Sequence, residues 1–216
     1  EDYFVKPAVE GAMRALKFAK KHNVKKVVLT SSVAAIFETG IEKVDYDEND
    51  WSDPDNPKIS NYAKSKTLAE KAAWDFLDQE DNPFEFAVIN PALVIGPSLS
   101  GDLGVSNFAI EMVVTGKMPV AIPLQFGFVD VRDVATAHIL AMENTESNGE
   151  RFALAESDLW YRDIANLLRK NGFDKAPTFS VPVWLAKILA VFNKELKVTV
   201  PYLGRVRSVV KATKAK

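Results

Sequence analysis

The sequence has no cysteine and only two histidines among its 216 residues. The absence of cysteine excludes disulfide bonds, thiolate nucleophiles and metal centres held by cysteine, and it fits a reducing compartment. His22 and His138 lie far apart in the sequence, so no cluster of metal-binding side chains is indicated. We therefore predict no metal site.

An excess of charge and a long apolar segment are also lacking. The 27 Lys and Arg residues are balanced by 29 Asp and Glu residues, whereas a nucleic-acid-binding protein is expected to have a basic face. No apolar run approaches the roughly 20 residues that a membrane-spanning helix needs, and no signal-peptide pattern is found. We predict a cytoplasmic protein that binds neither nucleic acids nor membranes.

The composition that remains is typical of a folded globular domain. Hydrophobic residues make up 47% of the chain and charged residues 26%, which excludes the disordered and low-complexity classes. The sequence begins at Glu1 without an initiator methionine, and the first element indicated is a helix already under way. We expect this chain to be part of a longer protein.

Helices and apolar strands alternate along the first half of the sequence. The pattern predicts helices over 5–22 and 60–81, strands over 24–30 and 84–90, and a long acidic loop over 33–60. This alternation is typical of an α/β fold with a parallel sheet. The less regular second half predicts helices over 105–115, 131–143, 161–171 and 183–192 and strands over 126–130 and 151–155. In the last of these helices, an apolar stripe that includes Trp184, Ile188 and Phe192 is typical of a core-facing surface, with a surface toward a substrate cleft or a partner as the alternative.

Tyr62 and Lys66 are the first candidates for chemistry. Their four-residue spacing places a phenol and an ammonium on one face of the predicted helix, about one turn apart. A cation held beside a phenol favours the phenolate, which brings proton donation by the phenol within range of neutral pH. Because Tyr and Lys are common in helices, the pair taken alone also fits a surface Tyr above a solvated Lys.

Polar residues at strand ends support a functional interpretation. Ser31 and Ser32 follow the first predicted strand, and the second closes at Pro91. Open α/β sheets bind ligands at the carboxyl ends of their parallel strands, although serines in such places also serve in turns and caps. With Tyr62 and Lys66, the Ser32 hydroxyl would complete one constellation at this edge.

Five sequence blocks resemble the extended short-chain dehydrogenase/reductases of the NAD-dependent epimerase/dehydratase superfamily. They stand in the family's order and at its spacing within positions 5 to 156, at residues 27–32, 46–51, 61–70, 89–97 and 128–135 with His138. They are most similar to the branch of dihydroflavonol reductases, cinnamoyl-CoA reductases and aldehyde/ketone reductases. The resemblance implies a Rossmann-like parallel sheet with helices on both faces, of which this chain holds the second half, and a smaller, mainly helical substrate region.

The resemblance implies that a nicotinamide cofactor reduces an aldehyde or ketone to an alcohol. Ser32 would orient the substrate carbonyl by a hydrogen bond, and Tyr62 would give it a proton as the hydride arrives. Lys66 would hold the ribose hydroxyls and favour the phenolate form of Tyr62. These roles agree with the chemistry, since a fixed hydroxyl, phenol and ammonium can stabilise and protonate a developing oxyanion.

The resemblance also implies a set of cofactor-binding residues and favours NADP(H) over NAD(H). The set consists of Ser31, Tyr62, Lys66, Pro91, Ala92, Leu93 and Val94. Residues 1–97 would form the C-terminal half of the NAD(P)-binding Rossmann fold. Residues 98–216 would form mostly the substrate-binding region. For the strands near 126–130 and 151–155, a place in the sheet of the main fold is the alternative. The expected partner is a small-molecule carbonyl substrate, and the expected assembly is a monomer or homodimer.

The glycine-rich turn that holds the cofactor's pyrophosphate in this family is absent. Gly101-Asp-Leu-Gly104 is only a partial match in another place, and Arg14 stands where family members often carry Asn. Because that turn presents the N–H groups of a helix N-terminus to the phosphates, we expect this chain alone to bind a dinucleotide poorly or not at all. The intact protein is expected to be about half as long again, to hold the rest of the nucleotide-binding half.

Two other functions remain open. The same superfamily carries out epimerisation and dehydration of nucleotide sugars with this triad, although the block around Trp51 and the Leu-Thr-Ser-Ser sequence favour a reductase. A chain that lacks the phosphate-binding turn is also consistent with a non-catalytic Rossmann-like scaffold.

Overall fold

A computed structural model describes residues 2–39, 45–101, 104–192, 194–204 and 209–215. Residues 40–44 of the predicted acidic loop and residues 102–103 of the Gly101–Gly104 segment lie outside the described residues. The chain folds into two compact units: the first contains 1–92, 131–155 and 208–216, and the second contains 93–130 and 156–207. The predicted boundary at residue 97, between a nucleotide-binding part and a substrate region, stays a prediction.

The elements largely follow the predicted order. The helices are α1 (Asp2–Lys21), α2 (Asn61–Gln79), α3 (Gly104–Val114), α4 (Val131–Glu143), α5 (Tyr161–Lys170), α6 (Val183–Phe192) and α7 (Lys194–Thr199). The strands are β1 (Lys26–Thr30), β2 (Asp45–Tyr46), β3 (Glu85–Pro91), β4 (Leu93–Ile95), β5 (Gln125–Asp130), β6 (Glu150–Leu154), β7 (Ser157–Trp160) and β8 (Val209–Val210). Strand β1 begins two residues later than predicted, after a turn in which Asn23 has a φ of 53°.

The first unit is built on a three-stranded parallel sheet in the order β1-β3-β6. Val28 lies beside Ala87 in one pairing, and Ile89 lies beside Phe152 in the other. All residues of β3 after Glu85 are buried, as expected for a strand that is covered on both faces. The predicted α/β fold with a parallel sheet is confirmed.

Helices cover both faces of this sheet. Val27 and Leu29 of β1 pack into the core beside α1 and α2. Because side chains alternate across a strand, Thr30 does not share their face, and its hydroxyl contacts His138 of α4 at 2.7 Å. Helix α4 also packs against β3. Helices α1 and α2 therefore cover one face and α4 covers the other, as predicted.

The core beside α1 and α2 holds the Tyr62 helix against the sheet. Its buried members are Leu16, Ala19, Ala73, Phe76, Leu77, Phe84, Phe86 and Val88. Trp74 of α2 adds an edge-to-face contact with Phe86 of β3, with ring centroids 4.8 Å apart, which is a favourable aromatic geometry.

The second unit contains a mixed sheet in the order β4-β5-β7, in which β4 is parallel and β7 antiparallel to β5. Only β5 was predicted from the sequence. Strands β4 and β7 have three and four residues, and β2 and β8, which pair in the first unit, have two each. Segments this short do not show a period of two residues clearly enough to be recognised.

Helix α6 does not turn its apolar stripe toward the core, so of the two interpretations only the one of a surface that faces a substrate cleft or a partner stays a prediction. Trp184 is 64% exposed and Phe192 is 86% exposed, and Ile188 is also exposed. The buried residues are Ala186 and Ala190, which lie one turn apart. Nine of the ten residues of α6 are apolar, as its sequence VWLAKILAVF shows, so the pattern cannot distinguish the buried face from the others.

Tyr161, in the core of the second unit, has a buried hydroxyl without a hydrogen-bond partner among the described residues. Burial raises the pKa of this phenol above its usual value of 10.0, so folding opposes its ionisation. Stability from this effect is present below about pH 10 and is lost as the pH rises further, because the unfolded chain ionises first.

We predict that Tyr161→Phe raises the free energy of unfolding by about 1 kcal/mol at pH 7, because it removes an unpartnered buried hydroxyl. The gain should increase above about pH 10, because phenylalanine does not ionise. Urea unfolding at pH 7 and above about pH 10 measures the free energy of unfolding of both proteins. Tyr46→Phe is the matched control: its buried hydroxyl lies 3.3 Å from Thr39 Oγ1, so removing it should lower stability. A Tyr161→Phe variant that is destabilised like Tyr46→Phe would contradict the prediction.

No helix within the described residues combines the length and the apolar character needed to cross a membrane.

Candidate active site

The serine pair lies directly after strand β1. The Ser31 N–H donates to the carbonyl of Ile89 at 2.8 Å, which extends the pairing with β3 by one residue. The Ser31 side chain is buried, and its hydroxyl has no hydrogen-bond partner among the described residues. Because leaving a buried hydroxyl unpaired costs free energy, this atom at the carboxyl end of the sheet is suited to a ligand contact.

Ser32 caps the 3-10 helix Val33–Ala35. Its Oγ accepts the N–H of Ala34 at 3.1 Å, and its carbonyl accepts the N–H of Ala35 at 3.0 Å. The capping role that the sequence left open is therefore present, but it uses only an acceptor site of the hydroxyl. The hydroxyl hydrogen can still be donated to a bound carbonyl.

Helix α2 carries Tyr62 in its first turn, and Ser60 and Glu38 fix that turn. Ser60 Oγ accepts the N–H of Ala63 at 3.1 Å, which is the usual N-cap bond. The Glu38 carboxylate accepts the Ser60 N–H at 2.8 Å and the Ser60 hydroxyl at 3.0 Å. Glu38 therefore ties the chain that follows the 3-10 helix to the start of α2.

Tyr62 and Lys66 lie on one face of α2, as their spacing predicts. Lys66 Nζ is 5.9 Å from the centroid of the Tyr62 ring, within the range of a cation–π contact. Tyr62 is 50% exposed and Lys66 is partly buried. No carboxylate in the described part of the chain pairs with Lys66, so its ammonium can donate to a ligand.

Ser32 is linked to the helix that carries Tyr62. The 3-10 helix capped by Ser32 packs against α2. Asn90, which is completely buried in β3, donates from Nδ2 to the Ser32 carbonyl at 3.2 Å and to Glu70 Oε2 of α2 at 2.8 Å. Glu70 lies one turn beyond Lys66. The structure therefore brings the three predicted catalytic residues onto contacting elements of one unit.

Arg151 of β6 completes this buried network. Its Nε donates to Glu70 Oε1 at 2.6 Å, and its Nη1 donates to the carbonyls of Glu48 and Asp50, each at 2.8 Å. Its guanidinium carbon stacks 3.7 Å from the centroid of the Trp51 ring. Neither Arg151 nor Glu70 is predicted from the sequence, in which the one available signal is a glutamate on an alanine-rich helix face.

The acidic loop contacts Arg151 through Trp51. Glu48 within it is only 2% exposed. The Glu48 carboxylate accepts the Thr213 hydroxyl at 2.6 Å and the N–H groups of Thr213 at 3.0 Å and Lys214 at 3.2 Å. The loop thus holds the segment 209–215 and presents its own carbonyls to Arg151.

The predicted nicotinamide-contacting segment crosses the division between the units. Pro91 ends β3, and the N–H of Ala92 donates to the carbonyl of Leu154 at 2.9 Å; both residues belong to the first unit. Leu93 and Val94 lie in β4 of the second unit.

His138 of helix α4 forms hydrogen bonds through both of its ring nitrogens, and one of these bonds connects α4 to strand β1. Its Nδ1 lies 2.8 Å from the Val134 carbonyl, and its Nε2 lies 2.7 Å from Thr30 Oγ1. Since a carbonyl only accepts, Nδ1 carries the hydrogen in the neutral ring and Nε2 accepts from the Thr30 hydroxyl.

Comparison with known protein families identifies the family to which the chain belongs. The model of the NAD dependent epimerase/dehydratase family matches residues 1–155. The chain belongs to this family. The resemblance inferred from the five sequence blocks is confirmed.

Several relatives of this epimerase/dehydratase family member are reductases by name. It is 41% identical over 172 residues to cinnamoyl-CoA reductase CAD2 of Medicago truncatula, covering 77% of this chain and 52% of that protein. It is 34% identical over 191 residues to NADPH-dependent methylglyoxal reductase GRE2 of Saccharomyces cerevisiae, covering 76% and 54%. The chain thus spans about half the length of these curated relatives.

A solved structure extends the likeness to almost the whole chain. Gre2 of Candida albicans in complex with NADPH superimposes with a TM-score of 0.73 at 30% identity, covering 98% of this chain and 64% of that one. The Rossmann-like character predicted for this epimerase/dehydratase family member is thereby confirmed.

Proposed function

We propose that the complete protein is an NADP(H)-dependent reductase that converts an aldehyde or ketone into an alcohol. The observation that carries this proposal is the arrangement of Tyr62, Lys66 and the Ser32 cap on contacting elements at one end of the sheet. Two relatives of the chain, a cinnamoyl-CoA reductase and an NADPH-dependent methylglyoxal reductase, support it. NADP(H) is preferred over NAD(H) on the same ground.

The residues at this edge fit a dinucleotide. The unpartnered buried hydroxyl of Ser31 offers a hydrogen bond at the carboxyl end of β1, where ligands bind in open α/β sheets. The Lys66 ammonium offers donors suited to ribose hydroxyls. We assign Ser31, Tyr62, Lys66 and the segment Pro91–Val94 to cofactor binding, with the backbone of that segment beside the nicotinamide.

Ser32 and Tyr62 act on the carbonyl oxygen of the substrate. The hydride that reaches the carbonyl carbon is the chemistry that a bound NADPH supplies. Ser32 donates its hydroxyl hydrogen to the carbonyl oxygen and orients it, and Tyr62 transfers its phenolic proton to that oxygen as negative charge develops. Lys66 stabilises the phenolate that results, and Tyr62 then recovers a proton from solvent. The carbonyl gains one hydride and one proton.

The decisive assay combines the complete protein with NADPH and a panel of small aldehydes and ketones. We expect NADPH oxidation that depends on the carbonyl, with the alcohol formed in equal amount. A parallel assay follows the products of nucleotide sugars. Epimerised or dehydrated sugar without carbonyl-dependent NADPH oxidation would overturn the proposal in favour of the alternative enzyme, and activity in neither assay would favour the scaffold.

A cytoplasmic location and a monomeric or homodimeric state are part of the proposal.

A further inference from the structure

The Asn90 side chain connects the Ser32 backbone to helix α2 through two hydrogen bonds. Its two donor hydrogens go to two different elements: the Ser32 carbonyl at 3.2 Å and the Glu70 carboxylate at 2.8 Å. Both partners are acceptors only, so no other orientation of the amide satisfies them. Its Oδ1 is buried and has no partner among the described residues.

The surroundings leave Asn90 little freedom. It is completely buried in β3, and Glu70, also completely buried, is held from its other side by Arg151 at 2.6 Å. A buried carboxylate paired in this way has a strong preference for a donor at its second oxygen. The orientation of the amide is therefore imposed by Glu70, and the Ser32 carbonyl receives the remaining hydrogen.

We infer that Asn90 is a positioning residue of the proposed reductase: it sets the backbone of Ser32 relative to the helix that carries Tyr62 and Lys66. The inference rests on the proposed function. Because Ser32 Oγ and the Ser32 carbonyl both belong to the cap of one short helix, a shift of the carbonyl moves the hydroxyl with it. Misplacement of a reacting group by about 1 Å can cost on the order of 100-fold in rate.

Exchanging the amide and the carboxylate between positions 90 and 70 distinguishes the positioning role of Asn90 from a purely structural one. Asn90→Asp removes both donors and places a second carboxylate beside Glu70. The double variant Asn90→Asp/Glu70→Gln keeps the net charge of the network, because it adds one carboxylate and removes another. The amide introduced at position 70 can donate to the new carboxylate and still accept from Arg151 Nε. It restores the link between β3 and α2 but leaves the Ser32 carbonyl without its side-chain donor.

Steady-state kinetics and thermal unfolding of the complete protein test the inference. We expect the double variant to recover the melting temperature that Asn90→Asp loses, while its kcat stays about 10-fold or more below wild type with the KM for NADPH within about twofold. Recovery of kcat together with the melting temperature would overturn the inference and leave Asn90 a structural role. A wild-type protein that turns over no carbonyl overturns the proposed function and this inference with it.

Asn90→Thr is the second variant, which applies if the double variant does not regain stability. Its uncharged hydroxyl has a single hydrogen, which the Glu70 carboxylate should take in preference to the Ser32 carbonyl. A folded Asn90→Thr protein is expected to show the same loss of kcat at nearly constant KM for NADPH. Wild-type kcat in this variant would contradict the inference.

Discussion

The Tyr62→Phe variant of the complete protein is expected to lose at least about 100-fold in kcat for carbonyl reduction, since positioned general acids contribute about 10²–10⁴-fold. The variant removes only the phenolic oxygen, and the ring that lies 5.9 Å from Lys66 Nζ is retained. NADPH affinity should therefore change by less than about threefold, within the range expected for one exposed polar contact. Steady-state NADPH oxidation measures kcat, and fluorescence titration measures the affinity for NADPH.

Tyr161→Phe is the matched control for activity. It makes the same chemical change in the core of the second unit, at a hydroxyl that is buried and outside the predicted site. We expect it to retain wild-type kcat. If Tyr62→Phe kept full activity, or if both variants lost activity equally, the assignment of Tyr62 as the proton donor would be wrong.

The sequence was sufficient for the parts of the site that depend on local spacing. The four-residue spacing of Tyr62 and Lys66 places both on one helical face regardless of tertiary context, and the structure has them in contact. Likewise, apolar β-branched segments predicted β1 and β3, whose ends carry Ser31 and Pro91. Their functional roles stay predictions.

The residues that support the site were not predictable in this way. Glu70 and Arg151 are 81 positions apart in the sequence, and neither stands in a local pattern that marks a buried charge. Charged side chains are almost never fully buried unless they are paired, so a sequence without knowledge of the pairing places both on the surface. Asn90 stands out in the sequence only as part of the family block 89–97, and its contacts with two elements depend on how the sheet is assembled.

The sequence also does not show how one hydroxyl group, that of Ser32, divides its hydrogen bonds between two roles. Ser32 was expected either to cap a helix or to bind a ligand, but the structure shows that one hydroxyl can accept the cap N–H of Ala34 and keep its hydrogen for donation. In α6, by contrast, uniform apolar composition concealed the buried face, and Ala186 and Ala190 are covered while Trp184 is exposed. Periodicity is informative only where polar and apolar residues alternate.

The largest effect on stability is expected for Arg151→Met. The change leaves the completely buried Glu70 carboxylate without its cation and removes the donor shared by the Glu48 and Asp50 carbonyls. Removing one partner of a buried ion pair costs about 3–5 kcal/mol. We expect a loss of this size in the free energy of unfolding of the complete protein, measured by urea denaturation with circular dichroism.

Lys211→Met is the control that isolates burial. The Lys211–Asp45 pair has the same N···O distance as Arg151–Glu70, 2.6 Å, but its side chains are 55% and 48% exposed instead of 8% and 0%. An exposed pair contributes only about 0–1 kcal/mol, because solvent screens it and its side chains lose entropy when they are held. The difference between the two variants should therefore exceed about 2 kcal/mol. Equal losses would mean that Arg151 contributes no more than a surface cation, and the network behind the candidate site would not act as a buried anchor.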